Sequence, residues 1–180
     1  MQPFVFGVFA SATHDFSKPA RDAVTLIEGL GIEGDAHFGV TVQHLYDARR
    51  DPARPNYRQV HLIQAELLDE VNGKGFRVAP GDMGENVSTR GVDLLGLPTG
   101  TKLHLGPDAV IEVTGLRNPC LQIDRFQKGL QAAVNAKTPG GGTIRRAGVM
   151  SVILKGGVVR PNDGIIVELP EGPHLPLKPV

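Results

Sequence analysis

Glycine and proline punctuate this chain so densely that it has room for many turns and short strands but few helices. The 180 residues include 23 glycines and 14 prolines, and short apolar runs bounded by such residues mark strands joined by turns. "FVFGVFA" (residues 4–10) reads as a first strand buried on both faces. "AVTLIEGLGIEGD" contains β-prone pieces broken at Gly29, Gly31 and Gly34. "RQVHLI" (residues 58–63) runs from a strand into a helix in "QAELLDEVNGKG". There Ile63, Leu67 and Val71 fall at i, i+4 and i+8, Glu66, Asp69 and Glu70 point outward, and Gly73 acts as a stop. "GENVSTRGVDL", "TKLHLG" and "AVIEVTGL" read as further strands, and "GVMSVILKGG" and "GIIVELP" as late ones. A second helix is expected after Pro119, with Ile123, Phe126, Leu130 and Ala133 on one face.

No repeat or linker divides the chain, so residues 1–180 are expected to form one domain, with a core over about residues 4–170 and a proline-spaced tail over residues 170–180 extended on the surface. Many strands with two helices predict a mainly β, α+β fold of the barrel type with flanking helices. The polar segment between His37 and Tyr57 is long enough to be a functional lid or a mobile loop. Its arginines, Arg49, Arg50 and Arg54, with Arg58 just beyond, outnumber Asp47 and Asp51. Nineteen basic residues balance 19 acidic ones, which argues against a general nucleic-acid or membrane-surface binder while allowing a local basic pocket. "MQPFVFGVFASA" superficially resembles a signal peptide but has no Lys or Arg before its short apolar run, so it reads as a strand. No apolar segment approaches membrane-spanning length. One cysteine makes no internal disulfide, and a reducing cytoplasm is the expected compartment.

Four constellations could carry chemistry. "GIEGDAHFG" gathers Gly34, Asp35, His37 and Gly39; glycines let a backbone approach a ligand and Asp and His orient it, though the same residues make an ordinary turn. "PGDMGENVSTRG" crowds Gly81, Asp82, Gly84, Glu85 and Asn86 before a strand, as an anion nest of successive N–H groups or simply a tight β-connection. In "GGGTIRRAGVMSV", neighbouring Arg145 and Arg146 would face opposite ways on a strand, so at most one serves a phosphate site. In "GLRNPC", Cys120 follows Pro119, a residue suited to a first helical position, and lies three residues after Arg117. A helix N-terminus and an arginine both favour the thiolate, which attacks electrophiles and binds soft metals; a small buried structural thiol is the alternative. None of the six histidines (His14, His37, His44, His61, His104, His174) has a local context that marks it as the base of a Cys–His hydrolase. Asp35, His37, His44 and His61 could ligate zinc, but no histidine pair has HExxH spacing, and the GxxxxGK and GxGxxG phosphate motifs are absent.

The ordered set "GIEGDAHFG", "RQVHLI", "GDMGENVSTRG", "VTGLRNPCLQI", "GVMSVILKGG" and "VRPNDGI" resembles the MOSC family, named for the C-terminal domain of molybdenum cofactor sulfurases, from about residue 4 to residue 170. The segment holding Arg117, Pro119 and Cys120 is the most specific part. The resemblance implies a MOSC-type β-barrel with flanking helices that binds molybdenum cofactor (molybdopterin). It implies Cys120 as molybdenum thiolate ligand or sulfur carrier, with Arg117 supporting the thiolate or the anionic end of the cofactor. Gly34, Asp35, His37, Glu85 and Asn86 would line the pocket, and Thr89 and Arg90 would lie near the pterin phosphate. The implied activity is reduction of N-hydroxylated or N-oxide substrates with electrons from a separate reductase, or sulfur transfer with a cysteine desulfurase as donor. Pyridoxal phosphate belongs to the fused sulfurase enzymes, whose desulfurase domain this sequence lacks. The rival reading is a non-catalytic small-molecule-binding β-barrel with a buried, inert Cys120.

Overall fold

The computed structural model describes residues 2–180. Among them are thirteen strands and four α-helices. The first half comprises β1 (Phe4–Phe9), β2 (Ala20–Arg21), β3 (Val24–Ile27), β4 (Gly31–Ile32), α1 (Leu45–Arg50), β5 (Val60–Gln64), α2 (Ala65–Gly73) and β6 (Val87–Arg90). The second comprises β7 (Lys102–Leu105), β8 (Ala109–Leu116), α3 (Leu121–Phe126), α4 (Leu130–Val134), β9 (Ala136–Lys137), β10 (Thr143–Ile144), β11 (Val149–Lys155), β12 (Gly157–Val159) and β13 (Ile165–Glu168).

Eight strands form one sheet in the order β13-β7-β8-β11-β5-β6-β1-β2, with β5 and β6 parallel and the other neighbours antiparallel. β8 shows why such a strand forms: Ala109, Ile111, Val113 and Gly115 alternate strictly as its buried face, the period-two pattern of a half-buried strand. The start of β1 reaches the far end of the sheet. Val5 N–H donates to Asp163 O, Asn162 N–H to Val5 O and Ile165 N–H to Pro3 O, and Phe4 bridges Gly164. No continuous ladder joins β1 to β13 among the described residues. The expected barrel is therefore observed as a curled, mainly β sheet in an α+β fold.

The inside of the curl is filled by Val5, Leu62, Leu103, Leu105, Ile111, Val113, Val149 and Ile165, all at most 2% exposed. A second cluster packs Ile63, Leu67, Val71 and Met83 against Ile123, Leu130 and Val134, so the helices cover the outside of β5 and β6. Ile63, Leu67 and Val71 share that cluster as the periodicity predicts, although Ile63 belongs to β5. The expected second helix is split: Gly129 takes φ +87°, a conformation cheap only for glycine, and separates α3 from α4. Phe6 differs from the expected doubly buried strand, being 41% exposed beneath the Arg90 guanidinium, 4.8 Å from its ring centroid.

The tail is held rather than free. Thr99 N–H donates to Leu175 O, Leu116 N–H to Lys178 O and Val180 N–H to Leu116 O. A Cβ at Gly115 would lie 2.3 Å from Lys178 O, so glycine is what lets the tail come this close.

The registers place one edge of the sheet at a common level. β1 ends beside the start of β6, with Val8 opposite Val87. β8 ends beside the start of β11, with Leu116 opposite Val149. Met150 in turn lies opposite His61 near the start of β5. The loops leaving this edge build the site.

Candidate functional site

A cavity of about 690 Å³ opens at that edge. The segment after β1 contributes His14, Asp15, Phe16 and Lys18. His37, and His44, Leu45, Tyr46 and Arg49 from the start of α1, line another wall. Arg58, His61, Gly84, Asn86 and Met150 come from around β5, β6 and β11, and Arg117 to Gln122 with Arg125 and Gln131 complete the lining. Lysine and arginine supply five of these side chains and Asp15 is the one acid, so the cavity favours an anion although the chain as a whole is neutral.

Arg117 brings a buried guanidinium to the cavity. It is 9% exposed, its Nη1 has no hydrogen-bond partner, and its Cζ stands 5.9 Å from the Phe16 ring centroid. Burial pushes its pKa below the usual value, against the pull of Cys120 and Glu85. A buried guanidinium with an unused donor is costly unless something pairs with it. Cys120 shares the cavity, half-buried at the N-cap of α3, and its thiol donates to Gln122 Oε1 at 3.4 Å. Arg58, on the facing side, binds Asp47 at 2.7 Å and so ties α1 to the wall.

Beneath the floor lies a polar cluster. Asp35 accepts from Lys18 Nζ at 2.7 Å and from Asn86 Nδ2 at 3.0 Å, and Asn86 Oδ1 accepts from the His61 N–H at 3.2 Å. Burial raises the Asp35 carboxyl, but the bond from His37 and the charge of Lys18 outweigh it and hold the carboxyl well below its usual range. His61 is 5% exposed, hydrogen-bonds through Nε2 to Ala147 O at 2.8 Å, and is pushed well below its ordinary pKa by burial and then by Arg117.

Of the residues singled out in the sequence, Cys120, Arg117, His37 and Asn86 line this one cavity, and Asp35 sits directly behind it. Glu85 is fully buried and does not line it. Its Oε1 accepts from the Gly81 N–H at 2.7 Å and from Ser88 Oγ at 2.9 Å, while Oε2 has no partner, and burial raises its pKa. The Gly81 amide of the expected anion nest is thus taken by the protein's own carboxylate. Gly34 is an exposed turn residue. Thr89 and Arg90 also stand outside the cavity, because β6 carries them away from this edge: Thr89 is buried, and Arg90 pairs with Asp69 at 2.9 Å. Arg145 and Arg146 follow β10 rather than lying in a strand; Arg146 pairs with Glu70, and neither reaches the cavity. Lys18, Phe16 and Arg125 carry no local signal in the sequence; Arg58 showed there only as part of the positive surplus around the polar segment, and His61 only as one of four possible zinc ligands.

Solved structures that this one resembles include the following. Over 95% of this chain and 98% of the other, it matches the YuaD protein from Bacillus subtilis with a TM-score of 0.76 at 26% identity. YiiM from Geobacillus stearothermophilus matches over 97% of this chain and 79% of its own, with a TM-score of 0.66 at 14% identity. YiiM from Escherichia coli matches over 97% and 73%, with a TM-score of 0.63 at 20% identity; at these identities the two YiiM matches speak to fold alone. The sequence has no significant match among curated proteins. A MOSC domain model matches residues 33–166, the span that carries Asp35, His37, Asn86, Arg117 and Cys120, and the chain belongs to the MOSC domain family.

Proposed function

We propose that this protein binds molybdenum cofactor in the cavity, with the Cys120 thiolate as the protein's ligand to the metal. The observation that carries the reading is the buried Arg117 guanidinium, with one donor unpaired, in the same cavity as a half-buried thiol. The residues fit such a group. Among the described residues no cluster of three or more His, Cys, Asp or Glu could hold a bare metal ion, so a metal here must bring most of its ligands with it. An anionic group would meet Arg117, Arg58 and Arg125, which pair with oxyanions through fixed forks of donors. Phe16 and Tyr46 supply apolar faces. The cofactor, when bound, supplies oxygen-atom transfer coupled to two electrons. We read the activity as reduction of N-hydroxylated or N-oxide compounds, with a separate cytoplasmic reductase as electron donor, and we read the curled sheet as a barrel of the MOSC type with its seam at β1 and β13.

A sulfur carrier needs an accessible thiol and a sulfur donor; a cavity of this size with four arginines exceeds that need. The test is purification from a host that makes the cofactor. Wild type should carry about one molybdenum per chain, by the single thiol available as ligand, together with a pterin that fluoresces on oxidation. Cys120→Ser should lose the metal, and Arg117→Ala should lose both metal and pterin. A persulfide on Cys120 without molybdenum would transfer the assignment to sulfur carriage, and neither species would leave a binding fold with an inert thiol.

A further inference from the structure

Asp35 gathers more donors than a turn requires. Oδ2 accepts from Lys18 Nζ at 2.7 Å, from Asn86 Nδ2 at 3.0 Å and from the Ser11 N–H at 3.3 Å. Oδ1 accepts from the His37 N–H at 3.0 Å and lies 3.1 Å from His37 Nδ1. The Asp35 side chain is 2% exposed and that of His37 27%. An ionised carboxylate can only accept, so the neutral His37 ring carries its proton on Nδ1 and presents a lone pair at Nε2. Among the described residues no hydrogen bond engages that Nε2, and His37 lines the cavity.

The other basic side chains of the cavity are less suited to passing a proton. Arginines do not release protons, and Lys18 is held by Asp35. His61 is bonded through Nε2 to Ala147 O at 2.8 Å and His14 through Nε2 to Gln43 O at 3.0 Å. His44 Nδ1 lies 3.2 Å from Asp47 Oδ2 without hydrogen-bond geometry, and that carboxylate is already bound by Arg58 at 2.7 Å. Of these histidines, His37 is the one that combines a free ring nitrogen with a buried carboxylate behind the ring.

We propose that His37 is the proton-transfer residue of this cavity and that Asp35 is its positioning residue. The inference rests on the reductive reading given above. Removing oxygen from an N-hydroxylated substrate breaks the N–O bond and consumes two protons and two electrons, R–NH–OH becoming R–NH2 and water. The electrons come from an external reductant, a reductase or a reduced viologen dye. His37, protonated at Nε2 once an anionic group is bound, gives one of the two protons to the departing oxygen, the second comes from solvent, and solvent reprotonates the ring. Asp35 faces the ring and favours its charged form; Lys18 and the neighbouring His14, 5.1 Å away ring to ring, oppose it. Burial, first, and the Lys18 charge disfavour the charged ring at rest, so proton uptake follows the arrival of an anionic group.

The test uses the full chain from a cofactor-making host, an aromatic amidoxime as probe and reduced methyl viologen as donor. His37→Asn should load molybdenum to the wild-type level while its turnover falls by roughly a hundredfold, the scale of a lost general acid, and its pH profile should flatten. His104→Gln, outside the cavity and bonded to Glu168, should change neither. Nitrogen-15 NMR of the metal-free wild type provides a readout free of turnover: His37 should be the Nδ1-protonated tautomer. An Nε2-protonated ring, or a loaded His37→Asn with wild-type rate and pH profile, overturns the proposal and leaves cofactor binding intact. Wild type without molybdenum overturns the proposed function and the role of His37 with it.

Discussion

Cys120 and Arg117 show how two residues three apart in sequence come to share one small space. The irregular segment Asn118–Pro119 leads into α3 with Cys120 extended at φ −116°, and Arg117 is anchored by its N–H to Gly148 O at 3.0 Å. Because the thiolate is the reactive form, a facing guanidinium should speed its alkylation, and Arg117→Ala should slow iodoacetamide labelling of the metal-free protein at pH 7 by about threefold or more. Cys120→Ser serves as the blank. Labelling that stays slow until the protein unfolds would show a packed thiol and sink the ligand assignment. The Lys18–Asp35 pair, with side chains 3% and 2% exposed, makes a second prediction. Lys18→Met leaves a buried carboxylate without its main partner, and the expected cost is about 3–5 kcal/mol by urea unfolding. Lys18→Met with Asp35→Asn should recover part of that loss.

At the scale of elements, α1 is the informative one. It interrupts the polar segment that the sequence presents as a lid or loop, and its six residues include none that is buried. Its base is closed independently by the bridge of Thr41 to Pro55 and by the Val42 N–H to Arg54 O bond. Replacing residues 45–53 by two glycines should therefore lower the urea midpoint only by what the lost Arg58–Asp47 pair contributes. Removing Leu45, Tyr46 and Arg49 from the cavity wall should weaken retention of the cofactor, read as molybdenum per chain after dialysis. Unchanged retention would make α1 a solvated surface turn with no part in binding. The α3–α4 break belongs at this scale too. Apolar spacing from Ile123 to Ala133 fits one helix, but Gly129 at positive φ splits it, and Leu130 and Val134 still reach the cluster of Leu67 and Val71. Periodicity reports which residues face the core; it does not report whether one rod carries them.

For the whole molecule the buried ionisable groups set the response to pH. The folded state holds His61 well below its ordinary value of 6.5, first by burial and then by the Arg117 charge. Below about pH 6.5 the unfolded chain therefore binds a proton that the native state refuses. This contribution is complete above that pH and is lost as pH falls toward the folded value. His37 acts in the same direction. Asp35, lowered from 3.8, loses its contribution only in a more acidic window. Glu85 has the opposite sign: raised from 4.5 by burial, it contributes below that value and loses its contribution as pH rises. The histidines should dominate between pH 7.5 and 5.5, so unfolding free energy in urea should fall across that interval. His61→Gln should flatten the fall. An unchanged slope in that variant would assign the pH response to other groups.

The strands of this protein were largely legible in its sequence because they depend on local chemistry: alternation in β8, glycine breaks between β3 and β4, and the switch of period where β5 enters α2. Arg117 and Cys120 were legible for a related reason, since a thiol beside a proline, near an arginine and at a helix start, carries its chemistry within a few residues. The cation set was not. Lys18 and Arg125 are ordinary surface-type residues in sequence, Arg49 and Arg58 show there only as a local positive surplus, and only the pairing of β1 with β6 and of β11 with both β8 and β5 brings their loops to one edge. The same registers excluded Thr89 and Arg90, because within β6 a shift of two or three residues along the strand leads away from that edge. Charge neutrality over the chain conceals a cationic cavity because net charge is a sum over residues, whereas a site is selected by which residues the fold makes neighbours.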